Sequence, residues 1–584
     1  LVATTGLIGS WHTIGASVLA LDGLMMTTTV AAAHYDSPWW RRFQSDLPTW
    51  SLWLLFGAIA IGVALRVYQF MTGASLWLDE LAIANNLADR SLWSLLTEPL
   101  AYAQVAPPGF ILIEKLMYEV SGANDQALRL YSLVSGIGAL FAMALVARRL
   151  GLRETAWIAP LLLALGAPFI FQSVQVKPYA GDVFLSLALV AVALRLNADD
   201  DARRSWPIAL GVLAPWFSYA AVFTLAGVGL ALLLTPQRRR YVSLVALWGL
   251  SAVAALLYAN MVVDRGTATT LHSFWSRDAV GFPNGLAQVI PWSLAQLRAH
   301  LWSDVGLRGV TYWLGIAGVG AFLLWRHSRF ALVVVAGPIV AALCAAVLQR
   351  YPLGGRLSQW IAALLILLVT SAAAGVARAL QGRERLARLA PVPGMAVAVL
   401  PLMAFTQNHP PYRIEDVKPV LAAIKQSRMA NDVMYVYPGA WHAYRFYGAQ
   451  SGIPAGRVVY GPCVVRSPRE SLAALDALRG HARVWVFFSH VTQPSERQLV
   501  LGYLDAIGVR RQSVSAPARY ENASSSVDAH LYDLSDPNRL RKATWHTYSI
   551  SQTETFGRSS ECAVGMVPAR AYSPKLESGG DVNR

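Results

Sequence analysis

Apolar runs of spanning or near-spanning length, recurring from residue 50 to residue 406, decide what this chain can fold into. They occupy about 50–70, 127–147, 156–172, 182–196, 206–219, 220–235, 241–263, 310–326, 330–348, 357–378 and 391–406. A helix of ~20 such residues crosses the hydrocarbon core of a bilayer, and in lipid only a helix or a closed barrel satisfies its own backbone. The rest of the composition agrees: 55% of the 584 residues are hydrophobic and 14% charged, where a soluble domain carries roughly 25% charge. An ordinary cytosolic enzyme and a disordered chain are both excluded. Three cysteines cannot build a disulfide scaffold or a four-thiolate zinc site. The expected fold class is an all-α polytopic membrane domain of about eleven transmembrane helices, followed by a small non-cytoplasmic α/β domain.

The net charge of +15 would suggest nucleic acid in a soluble protein, so its placement matters. Arg148-Arg149 with Arg153, Arg195 with Arg203-Arg204, Arg238 to Arg240, Arg326 with Arg329, and Arg378 with Arg383, Arg385 and Arg388 punctuate alternate ends of the runs. Basic clusters mark cytoplasmic turns. With the amino terminus inside, every cluster falls inside if 206–235 is a pair of helices and 107–120 lies on the surface. Pro107-Pro108 and the charged Glu114, Lys115 and Glu119 favour that surface placement. No nucleic-acid partner is implied.

The same parity divides the chain into a cytoplasmic segment 1–49, a membrane domain 50–406, an α/β domain 407–536 and a flexible tail 537–584. Residues 1–24 read as an over-extended start preceding Met25-Met26. Loops 71–126 and 264–309 fall outside, as does everything after 406. There the pattern changes to alternating helix-like and strand-like segments: helices over 417–427, 440–447, 467–478 and 495–507, strands over 432–437, 457–460 and 483–488. Cys463 and Cys562 both fall in this outer region, where a disulfide between them is open. Gly227-Val228-Gly229, inside an apolar run, reads as close helix packing.

With charge so scarce, the charged residues at the outer membrane edge are informative. Asp79-Glu80 follows the first span. Gln104 precedes Pro107-Pro108, and Arg129 stands at the entry of the second span. Lys177-Pro178-Tyr179 and Asp182 make a short turn, and Tyr351-Pro352 with Gly354-Gly355-Arg356 makes another. Each has a bland alternative. An acidic pair also caps a following helix, and a lone cation also snorkels to bulk lipid phosphates. Together, carboxylates and isolated cations at one depth suit a site for an anionic lipid headgroup and a polar acceptor.

The order Asp79-Glu80, Pro107-Pro108, Arg129-Leu130, Lys177-Pro178-Tyr179…Asp182 and Tyr351-Pro352…Gly354-Gly355-Arg356 resembles the GT-C membrane glycosyltransferases. The likeness is to bacterial relatives of the protein O-mannosyltransferases and aminoarabinose-lipid A transferases (family 39-like). It covers roughly residues 50–405 and, weakly, Glu415-Asp416-Val417-Lys418-Pro419-Val420. The resemblance implies an inverting transfer from a polyprenyl-phosphate-linked sugar on the non-cytoplasmic face of a bacterial inner membrane. The aminoarabinose transferases carry a basic residue soon after the acidic pair, whereas Leu81 to Ala84 follow here. Phosphate binding then falls to Lys177, Arg356 and Arg129.

A polyprenyl phosphate is a good leaving group that needs charge stabilisation more than an acid. The acceptor hydroxyl needs a base, a role that suits Asp79. Glu80 would hold the loop or orient the acceptor, Gln104 and Tyr179 would hydrogen-bond sugar or phosphate oxygens, and Asp182 would orient Lys177. No cofactor and no metal are called for, although an acidic pair is able to hold a divalent cation. The partners are the lipid-linked donor, membrane lipid and an envelope acceptor that is glycolipid, polysaccharide or protein. A transporter or flippase would instead show broken helices and charges at the midplane, and an inactive envelope scaffold would leave Asp79 dispensable.

Overall fold

The computed structural model describes residues 47–198, 205–277, 280–307, 312–462, 468–491, 494–520 and 526–549. The segment 1–24 and the cysteines Cys463 and Cys562 lie outside the described residues.

Every apolar run of the sequence is helical. Among the described residues, seven helices are long and apolar enough to cross a membrane: Thr49–Met71, Asp125–Arg149, Tyr179–Ala198, Val242–Val262, Arg329–Val347, Gly355–Gln381 and Ala387–Gln407. These make the chain an integral membrane protein. The run 206–235 is the expected pair, Ser205–Phe217 and Ala221–Leu233, and 310–326 forms Tyr312–His327. The run 156–172 differs from expectation. It breaks into Ile158–Leu165 and Ala167–Gln172 at Gly166, because Pro168 lacks the amide that would bond back to Ala164. A side chain at Gly166 would also strike the Asp304 carbonyl, 2.4 Å from where its Cβ would stand.

Residues 107–120 form the 14-residue helix Pro108–Ser121, which is not among the candidate spans. Its Glu114 is fully buried and neither carboxylate oxygen has a partner. Burial, with Glu80 nearby, pushes this carboxyl well above the usual carboxylate range, so it packs as a neutral acid.

Arg66, 1% exposed, donates to Ser173 Oγ at 3.1 Å and to the Gly62 and Leu163 carbonyls at 3.0 Å each. Gly136 leaves the room: a Cβ there would sit 2.1 Å from Ser173 Oγ.

After the helices comes a five-stranded sheet in the order β2-β1-β3-β5-β4. Strands β1 (Val433–Val436), β2 (Val458–Tyr460) and β3 (Val484–Phe488) are parallel, with crossover helices Trp441–Tyr447 and Pro468–Asp476. These are the segments the alternating pattern predicts. An antiparallel pair, β4 (Val509–Ala516) and β5 (Val527–Asp533), completes the sheet. The predicted tail is packed at its start: Arg479 donates to the Leu540 and Ala543 carbonyls. From Trp50 onward the chain clusters as one unit. Leu81, Ile83 and Leu87 near the first loop share an apolar core with Val433, Val436 and Trp485 of the sheet, so packing runs without a break across the change of pattern.

Gly227 does what close helix packing requires. A Cβ there would lie 2.3 Å from Pro338 Cδ, and Gly337 faces it across the crossing of Ala221–Leu233 with Arg329–Val347. Gly227→Leu is expected to force these helices apart at a cost of about 1–3 kcal/mol, read as a lower thermal midpoint in detergent. An unchanged midpoint would show that the crossing is not tight.

Candidate active site

Four helix ends that carry sequence-predicted residues meet; Glu80 ties three of them together and Asp79 pairs with Arg356 on the fourth. The helix Leu78–Asp89 starts directly after extended Trp77, which places Glu80 in its first turn. Glu80 Oε2 reaches back to the Trp77 amide at 3.3 Å, the capping half of the two readings of the acidic pair. Its carboxylate also receives both arms of Arg129, Nε to Oε1 at 3.0 Å and Nη2 to Oε2 at 2.8 Å. Oε1 further accepts the Val176 amide at 2.8 Å. Arg129 spends its remaining donors on the carbonyls of Ala74 and Ser75. Three residues along, Ser132 Oγ contacts the Gln175 and Lys177 carbonyls at 2.6 and 2.9 Å. Glu80 and Arg129, both buried, thus brace the turn that carries Lys177 rather than facing open space.

Asp79, one residue earlier, points to the cations. It is ion-paired to Arg356, which stands in the short turn Gly355–Ser358 before the helix Gln359–Gln381. The Arg356 guanidinium lies over the Trp77 ring at 5.2 Å and hydrogen-bonds Tyr179. Burial on its own would raise the Asp79 carboxyl, but Arg356, Lys177 and His490 together hold it below the usual carboxylate range. Burial pulls the Lys177 ammonium below its usual range, against the opposing pull of Asp79 and Glu80. Lys177 Nζ donates to Gln104 Oε1 at 2.6 Å, so Gln104 is the residue that orients it. Asp182 was expected in that role, but its Oδ1 accepts from Ser218 Oγ at 2.5 Å.

Beyond Arg356 opens a cleft of about 530 Å³, walled by Trp77, Phe171, Trp275, Arg356, Gln359 and Tyr520 among others. Its size suits a small polar ligand with aromatic surfaces to stack on. Sequence reasoning missed the support of this wall. His300 Nδ1 lies 2.6 Å from Asp304 Oδ2, and its Nε2 lies 2.9 Å from Ser358 Oγ, two residues from Arg356. All three side chains are buried. The i, i+4 spacing of His300 and Asp304 was visible, but the turn of π-helix that presents them was not. Glu415 and His490 were missed as well: Glu415 Oε2 accepts the Leu78 amide at 3.2 Å, and Oε1 pairs with His490. Trp441, His442 and Tyr444, on the helix Trp441–Tyr447, are buried aromatic side chains.

No family model matches this chain, and no curated protein matches its sequence. Among solved structures it is similar to the oligosaccharyltransferase AglB of Archaeoglobus fulgidus in complex with an inhibitory peptide and a dolichol-phosphate, with 12% identity and a TM-score of 0.43 over 81% of this chain and 73% of that one. It is also similar to ArnT of Cupriavidus metallidurans bound to undecaprenyl phosphate, with 13% identity and a TM-score of 0.45 over 82% of this chain and 98% of that one. Likeness at this level transfers no residue role and no activity.

Arg129→Ala would strand the Glu80 carboxylate in the protein interior. The expected cost is ~3–5 kcal/mol, seen as a lower thermal midpoint, and the double variant Glu80→Gln, Arg129→Met should recover part of it. A single variant as stable as the parent would remove Glu80 and Arg129 from the centre of this arrangement.

Proposed function

We propose that this chain is an inverting GT-C-type glycosyltransferase. It moves a sugar from a polyprenyl-phosphate-linked donor to a hydroxyl of an envelope acceptor, on the outer face of the bacterial cytoplasmic membrane. The observation that carries this reading is the buried carboxylate Asp79 held beside Lys177 and against Arg356, which itself lines a cleft large enough for a sugar. The arginine clusters at the opposite ends of the same helices, such as Arg148 and Arg149 against Arg129, support the outward orientation.

The acceptor hydroxyl gives its proton to Asp79 as its oxygen attacks the anomeric carbon. The bond from that carbon to the phosphate oxygen breaks on the opposite side, which inverts the centre. The departing polyprenyl phosphate carries its negative charge onto Arg356 and Lys177, the first a planar fork and the second a point charge. Glu80 and Arg129 keep the turn that carries Lys177 in place. Gln104 orients Lys177, and Tyr179 flanks Arg356 in reach of sugar or phosphate oxygens. No cofactor enters this scheme.

In the unliganded arrangement Arg356 is spent on Asp79, which makes that carboxylate a weak base. A donor phosphate competes for the same guanidinium and draws its charge away. The proton affinity of Asp79 then rises at the moment a base is needed.

Two measurements test the reading. Asp79→Asn should lower transfer by about 10²–10⁴-fold, assayed by loss of glycoconjugate in cells and by turnover of candidate polyprenyl-phosphate sugars in vitro. Full retained activity would sink the base assignment, and with it the preference over a scaffold. The acid limb of kcat/KM reports free enzyme, in which Asp79 is depressed, so it should lie below the ordinary aspartate range. The limb of kcat, which reports the donor complex, should lie at higher pH. Coincident limbs would mean that the donor does not take Arg356 from Asp79.

A further inference from the structure

The helix that carries Asp79 is held along its whole length by the C-terminal α/β domain. Asp416 Oδ1 accepts the Ser75 amide at 3.1 Å and Ser75 Oγ at 2.7 Å. The Tyr447 hydroxyl oxygen accepts the Leu76 amide at 2.9 Å, and Glu415 Oε2 accepts the Leu78 amide. Farther on, Asn85 Nδ2 lies 3.0 Å from His442 Nδ1, and Arg445 pairs with Asp89 at 2.6 Å. The first-turn amides of a helix have no partner within it, and a carboxylate there both accepts them and complements the helix dipole. Glu415 thus anchors the residue next to Asp79, and His490 fixes Glu415 from the other side. Both do so from backbone conformations that cost energy: φ is 52° at Glu415 and 53° at His490. Left-handed backbone at a residue other than glycine persists where the surroundings impose it.

We propose that Glu415 and His490 are positioning residues of the catalytic centre, through which the C-terminal domain keeps Asp79 in register with Arg356 and Lys177. The proposal rests on the glycosyl-transfer reading for its consequence and on geometry alone for the latch itself. Around Asp79 the charged groups are Arg356 and Lys177 from the two turns, His490 from the C-terminal domain, and Glu80, which Arg129 neutralises. Around His490 they include Glu415 and Asp79. Replacing His490 by a neutral residue removes one of three cationic influences on Asp79 and leaves the two phosphate ligands in place.

The test uses the full-length protein in detergent, with polyprenyl phosphate alone as the binding probe. In His490→Ala and Glu415→Gln, hydrogen exchange of the Leu78–Asp89 amides should speed up by roughly tenfold, as expected for losing a hydrogen bond to a charged group. Arg510→Ala, on β4 and remote from the latch, should leave exchange as it is. Binding of the lipid should stay within about twofold of the parent, because Arg356 and Lys177 are untouched. Transfer in cells should drop at least tenfold in His490→Ala and recover in His490→Asn, whose amide stands where Nδ1 did and still donates to Glu415. Unchanged exchange in both latch variants would overturn the proposal, as would full transfer in His490→Ala beside an inactive Asp79→Asn. If His490→Ala does not yield folded protein, Glu415→Gln decides by the same two readings. An active Asp79→Asn would instead remove Asp79 as the base, and a parent protein that transfers no sugar would refute the glycosyl-transfer reading; either leaves the exchange result to judge the latch.

Discussion

A carboxylate taken out of water is costly unless both its oxygens are answered, and around Glu80 that demand organises the whole site. Its partners come from three places in the chain: Arg129 at the mouth of one helix, the Val176 amide of a turn, and its own helix start at Trp77. None of the three can move without leaving a charge buried and unpaired. Buried pairs add little net stability but specify one arrangement where they are fully satisfied. Here that arrangement brings a span, a turn and a helix cap to one point. The reactive-looking neighbour Asp79 inherits its position from this brace.

The two acidic residues are adjacent in sequence and opposite in character. Glu80 faces inward, and its oxygens go to partners within the fold. Asp79 faces cations that have other work available, because Arg356 also lines the cleft and lies against Trp77 and Tyr179. An ion pair at a cleft wall is an exchangeable contact, while one sealed among helices is not. Such division of labour between two like groups, set by surroundings alone, is a common way to obtain one structural and one chemical carboxylate.

Much of this was legible in the chain. The helices follow from run length, and the parallel part of the sheet follows from alternating short strands. The charged residues of the site stand out because the membrane part has so few. What could not be read was pairing. Nothing in the spacing says that Arg129 belongs to Glu80, that Asp182 turns to Ser218, or that Gln104 rather than Asp182 meets Lys177. The break at Gly166 hid inside a continuous apolar run. Strand β4 hid behind its own polarity, being half exposed along its length. His490 carried no local mark at all, and Glu415 only the weak likeness of its segment, since their meaning depends on a helix far back in the chain.

That distance has a consequence for how the molecule is made. Gln69 and Tyr412 clasp each other through both of their amide contacts, and Ser75 meets Asp416, across sequence separations of 343 and 341 residues. Contacts so remote form late, after the loop between them has been closed. The helix Leu78–Asp89 therefore gains its full set of partners only once the C-terminal sheet, at the far end of the chain, has folded.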